Sequence, residues 1–175
     1  MLFIVDGLEI IGRFMDQGGD VLWLIAIVTF LMWMFVFERI IYFRFGLPGD
    51  VNDVMDRWEG RAERKSWRAH AVRDMLISQV SIKINTNLNF IATLVAMCPL
   101  MGLLGTVTGM IEVFNIMAVT GGGDAKSMAG GVSKATIPTM AGMVAALSGV
   151  FANTYVSSKA SREDELLKDH MTADH

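Results

Sequence analysis

Residues 98–110 read CPLMGLLGTVTGM and lie inside a run, 84–111, that carries no charged side chain. A helix needs roughly 20 mostly apolar residues to cross the hydrocarbon core of a bilayer, so the run is long enough. Yet it holds Pro99, Thr106, Thr108 and three glycines, Gly102, Gly105 and Gly109, where lipid contact alone would favour bulk. Helices in lipid gain nothing hydrophobic by touching, and close approach requires small residues at the contact. The three glycines recur at i, i+3 and i+7 with Thr106 beside them, which puts them on one flat helical face.

A second face answers the first. Within the uncharged run 135–158, Ala135, Thr139, Gly142, Ala146, Gly149 and Asn153 repeat at alternating spacings of four and three. The third uncharged run, 21–37, has only Ala26 and Thr29 among large side chains and reads as the lipid-facing helix. The composition agrees: of 175 residues, 53% are hydrophobic and 19% charged, beyond the ordinary range of soluble proteins. The segment 1–20 does not read as a cleavable signal, because Asp6 and Glu9 stand where a basic region belongs.

Lys and Arg are retained in cytoplasmic loops, so their distribution gives an orientation. Residues 38–83 carry nine, from Arg39 to Lys83, and 158–175 carry three. Only Arg13, Lys126 and Lys134 fall on the other side. The expected topology is therefore three transmembrane helices with the N-terminus outside and the C-terminus inside.

The expected organisation is a tail or surface helix over 1–20, a first span over 21–43 and a cytoplasmic helical segment over 44–83. A second span over 84–117, an outer loop over 118–126, a third span over 127–158 and a cytoplasmic helix over 159–175 follow. Gly46-Leu47-Pro48-Gly49-Asp50 is expected to end one helix and start another, with Asp50 as N-cap. Val51, Val54, Met55 and Trp58 continue that helix as far as Gly60. From Ser66 the stripe Val72, Leu76, Val80, Ile84, Leu88 predicts one long helix reaching about Met117, and the third span likewise continues into its cytoplasmic tail. Gly121 to Asp124 is the expected outer turn, and Pro99 and Pro138 are candidate kinks. The mixed charges of 56–68 read as a solvated face next to the membrane rather than a nucleic-acid site, since acids nearly cancel bases.

No Asp, Glu or His lies in the three uncharged runs, and the single Cys98 excludes an internal disulfide. No metal-ligating, cofactor-binding or catalytic constellation is visible, so an enzyme is not expected. Thr106 and Thr139 lie about equally far from the outer ends of their spans, at a shared depth of roughly 7 Å. They can face one lumen, or each can bond a carbonyl of its own helix. A hydroxyl cannot hold a proton as a titrating site near neutral pH, so a proton path needs a carboxylate from elsewhere.

FIATLVAMCPLMGLLGTVTGMIEVF over 90–114, followed by GGVSKATIPTMAGMVAALSGVFAN over 130–153, resembles the MotA/TolQ/ExbB proton-channel family, closest to its ExbB branch. The resemblance implies an all-α homopentameric ring around a central lumen in the inner membrane of a Gram-negative cell. It also implies an ExbD-like single-span partner inside the ring and coupling of the proton-motive force, through a TonB-like protein, to outer-membrane transport. Thr106 and Thr139 match the family's lumen-lining threonines. Gly102, Gly105, Gly109, Gly142, Ala146 and Gly149 then read as helix-packing positions, with the glycines of 98–110 forming a seam between protomers. One departure is Lys134, where relatives often carry Glu. The lysine either snorkels to the outer interface or faces the lumen and pairs with Glu112 or a partner's carboxylate. A TolQ-like envelope motor and a non-conducting membrane scaffold are the rival readings.

Overall fold

The computed structural model describes residues 2–61, 66–120 and 125–171. They form α1 (Leu2–Ile41), a π-helical turn (Tyr42–Gly46), α2 (Leu47–Glu59), α3 (Trp67–Asn85), α4 (Leu88–Thr120) and α5 (Ala125–His170). Among the described residues, three helical stretches are long and apolar enough to cross a membrane, Gly18–Glu59, Trp67–Val119 and Ala129–His170. At 1.5 Å per residue the 46-residue α5 is about 69 Å long, more than twice a hydrocarbon core, so most of its polar end must lie outside lipid. The fold is that of an all-helical integral membrane protein.

Two compact units share these helices: residues 1–32 with 93–150, and residues 33–92 with 151–175. The first unit is built on small residues. Leu22, Ile25, Cys98, Ala145 and Ala146 form its buried cluster, while Trp23, Ile27 and Phe30 of α1 are exposed, as are Leu100 and Leu103 of α4 and Met140 and Val144 of α5. Gly19 has φ 66°, a left-handed conformation that glycine adopts without steric cost, and it bends α1 just before the uncharged run. Residues 2–18, for which a surface helix and a frayed tail were both open, are helical.

The second unit is built on polar bonds around an apolar stripe. Leu76, Ile77, Val80 and Ile84 of α3 are buried, as are Val54 and Trp58 of α2. Ser66 caps α3, its hydroxyl accepting from the Ala69 N–H at 3.2 Å. Arg39, 5% exposed, donates to Glu38 at 2.6 and 2.7 Å and to the Lys83 carbonyl at 2.9 Å, with its guanidinium 4.9 Å from the Tyr42 ring centre. The Arg73 guanidinium donates to the carbonyls of Met171 and, at 3.2 Å, Lys168. These acceptors belong to the end of α5, where helix carbonyls have no partner of their own.

Three expectations about helix boundaries are corrected. The long helix from Ser66 to about Met117 is two helices, because Thr86 is extended (ψ 140°) and Asn87 is left-handed (φ 64°). Asn85 and Thr86 side chains donate to the carbonyls of Ser81 and Ile82, offering the backbone an alternative to the helix, and Asn tolerates positive φ better than most residues. The cluster at 46–50 does not end a helix. Pro48 lacks an N–H, and the π-helical turn absorbs it: the Leu47 N–H reaches five residues back to Tyr42. Asp50 accordingly lies inside the first turn of α2 rather than capping it, and accepts from the Tyr42 hydroxyl at 2.7 Å and the Lys83 ammonium at 2.6 Å. Both Pro99 and Pro138 lie within continuous helices. The expected turn at 121–124 lies outside the described residues.

Candidate functional site

The two small-residue faces meet each other. A methyl group added at Gly142 would sit 2.5 Å from the Cys98 carbonyl oxygen, and one at Gly102 would sit 2.9 Å from Thr139 Cα. At Gly109 it would sit 2.7 Å from Ala135 Cβ, at Gly131 2.5 Å from a Val113 methyl, and at Gly105 it would collide with the Pro138 ring. The pairs 98/142, 102/139, 105/138, 109/135 and 113/131 run in opposite directions, so α4 and α5 form one antiparallel seam. Gly149 extends it against Val95 and Met32 of α1. The glycines of 98–110 therefore pack within one chain, and the expectation that they form a seam between protomers is corrected. Helical spacing defines a face but says nothing about whether its cover comes from the same chain or another.

Thr139 and Thr106 occupy different settings on this seam. The Thr139 hydroxyl donates across it to the Gly102 carbonyl at 2.8 Å, whereas the Thr106 hydroxyl donates back to Leu103 of its own helix at 2.7 Å. The local-carbonyl alternative thus holds for Thr106 and fails for Thr139. In both, the proton is committed to a backbone carbonyl and the oxygen keeps lone pairs for an incoming donor. A hydroxyl placed this way accepts from water or a protonated carboxyl and does not itself supply a proton.

One turn along the seam from these threonines lies a cavity of about 360 Å³. Gly18 to Val21 of α1, Gly105, Thr108, Gly109, Glu112, Val113 and Ile116 of α4, and Gly131, Lys134, Ala135 and Pro138 of α5 line it. Glu112 and Lys134, singled out in the sequence, line the same space, and no ion pair joins them among the described residues. Asp20 is the member that sequence reasoning missed. The signal was present: Asp20, Glu112 and Lys134 are each the charge that borders an uncharged run, at ends that an alternating topology brings together.

The model of the MotA/TolQ/ExbB proton channel family matches residues 52–169, two thirds of the chain. The chain belongs to this family. It is 40% identical over 74 residues to a biopolymer transport protein ExbB-like 1 of Synechocystis sp., a match covering 41% of the chain and 29% of that protein. To the biopolymer transport protein ExbB of Helicobacter pylori it is 27% identical over 128 residues, 73% of the chain and 72% of the relative. To the Tol-Pal system protein TolQ of Pseudomonas aeruginosa it is 33% identical over 92 residues, 53% of the chain and 39% of the relative. The chain thus spans under a third of the cyanobacterial relative's length but nearly three quarters of the Helicobacter protein's. Within the family the ExbB branch is the nearer.

Proposed function

We propose that the chain is a non-enzymatic proton-channel subunit of an ExbB-like motor, placed in the inner membrane of a Gram-negative cell with its N-terminus outside. It forms a homopentamer around an ExbD-like single-span partner, which carries the titrating carboxylate, and works with a TonB-like protein to energise outer-membrane transport. The observation that carries this reading is the seam itself: two threonine oxygens beside a close-packed glycine register, within runs that hold no acid of their own. Their lone pairs would receive the hydrogen of a protonated partner carboxyl and so favour its neutral form in transit. One charge crossing 100 mV supplies about 2.3 kcal/mol, enough to bias a rotation or sliding step. The likeness to a TolQ favours a second reading, an envelope motor built on the same channel chemistry.

Proton uptake into liposomes holding the chain with its co-purified partner tests the proposal. Thr106→Val and Thr139→Val are expected to abolish partner-dependent flux while the complex still elutes intact. Flux that survives both substitutions in an intact complex would remove the channel role and leave a packing scaffold.

A further inference from the structure

The cavity is lined by α1 at its Gly19 bend, by the C-terminal part of α4 and by the N-terminal part of α5. At its rim stand two carboxylates and one ammonium, Asp20, Glu112 and Lys134, one from each helix that forms it, and all three are exposed. The less exposed part of its lining is Gly105, Gly109 and the Pro138 ring. Gly105 and Pro138 immediately precede Thr106 and Thr139, so this part of the lining lies at the level of the two seam threonines along their helices. Thr108 also lines the cavity and is exposed, its hydroxyl donating to the carbonyls of Leu104 at 3.0 Å and Gly105 at 3.1 Å.

Opposite charges that ring a space without closing on each other leave that space to water or to an ion. A pocket of this volume bordered by charge on all three helices is roomy enough to hold several waters that those charges can bind. With two negative groups against one positive, the rim draws cations and turns anions away. Gly105 and Gly109 have no room for a larger side chain, because Pro138 and Ala135 already fill the space beside them.

We propose that this cavity is a water-filled, cation-collecting vestibule that opens on the outer face and delivers ions to the level of Thr106 and Thr139. The outward direction and the identity of the ion as a proton rest on the function proposed above. Asp20 and Glu112 gather the cation, and Lys134 sets how strongly they do so. Lys134 thereby acts as a built-in attenuator of the mouth's negative field.

Thiol labelling tests this without any need for proton flux or a partner. In a Cys98→Ser background, Thr108→Cys places one thiol of similar size inside the cavity, and Ile116→Cys places one at the rim should the first variant fold poorly. Right-side-out membrane vesicles are treated with membrane-impermeant methanethiosulfonates, one bearing a quaternary ammonium and one a sulfonate, and total thiol is counted after denaturation. The cationic reagent is expected to react faster than the anionic one by about three- to tenfold, a preference that shrinks in high salt. Asp20→Asn and Glu112→Gln should each reduce the preference, and Lys134→Gln should increase it. A thiol at both positions that reacts only after denaturation, or only from the opposite face, overturns the vestibule. So does a preference that none of the three rim substitutions moves. Charge-selective labelling alongside absent flux would instead leave the vestibule standing and remove the channel.

Discussion

The α4–α5 seam and the polar cluster around Arg39 are both places where helices of this chain are held against each other, and they are held by opposite means. At the seam, atoms have been removed: glycine, alanine and a proline ring allow backbones to approach until an added methyl group would lie 2.9 Å or less from its neighbour. Around Arg39, atoms have been added: a guanidinium, a phenol, a carboxylate and an ammonium link α1, the π-helical turn, α2 and the end of α3. Solvent explains the contrast. Where lipid surrounds a helix, dispersion between close backbones is the available attraction; where water is near, charged bonds can form without stranding a charge in hydrocarbon. The two halves of the chain should therefore break differently.

The largest loss is expected at the seam. Gly142→Leu pushes a side chain into the Cys98 carbonyl, which is backbone and cannot swing aside. Overpacking of this kind costs about 1–3 kcal/mol for modest insertions, and a branched four-carbon side chain should exceed that range. Thermal denaturation in detergent, followed by size exclusion, should show no folded species. A variant that melts like the parent would mean the seam is looser than its geometry states.

The cluster gives a smaller effect. Arg39→Met keeps the apolar stem but leaves the Lys83 carbonyl, near the end of α3, without its donor, at a cost of about 1–2 kcal/mol. Chemical denaturation should move by that amount while helix content is unchanged. If the loss matches that of Gly142→Leu, polar bonds contribute more at this end than the comparison allows.

Much of this division is legible in the residues. The three uncharged runs predict the membrane helices, and the 3–4 spacing of Gly102, Gly105 and Gly109 against Ala135, Thr139 and Gly142 predicts two flat faces. That they would cover each other in a single chain is not legible, because periodicity marks a face and leaves its cover open. The break at Asn87 was hidden by the apolar stripe that continues through it, from Ile84 to Leu88, although Asn85, Thr86 and Asn87 together form a local signal for competing side-chain bonds. The π-helical turn was hidden for a similar reason: Pro48 announces a missing donor, and a stop or a wider turn both answer that need. Asp20 escaped because it meets the other two charges of the cavity lining only through space, about 90 residues before Glu112 and more than 110 before Lys134.

Thr139→Val removes a polar bond that crosses the seam. Interhelical side-chain bonds in membrane proteins average about 0.6 kcal/mol and reach about 1.7, so detergent stability should drop by roughly 1 kcal/mol and no more. Because Thr106 bonds its own helix, Thr106→Val should leave stability close to the parent. Equal losses for the two variants would show that the seam draws on Thr106 as well.

The smallest effect belongs to Asp50, which lies well beyond the uncharged run that ends at Phe37. Hydrogen bonds from the Lys83 ammonium, and next from the Tyr42 hydroxyl, hold its carboxyl below the usual carboxylate value. A group depressed in this way contributes stability that is fully present above its unfolded value, about 3.9, and is lost as pH falls through the lower folded value. Lys83 is more than half exposed, which screens the pair and limits the contribution to about 0.5–1 kcal/mol. Asp50→Asn should thus cost that much at pH 7 and progressively less as pH falls below about 3.9, and the difference at pH 7 should shrink in 1 M salt, whereas the seam variants should lose the same stability at any salt concentration. A salt-insensitive Asp50→Asn would assign the residue's worth to its bond with Tyr42 rather than to its charge.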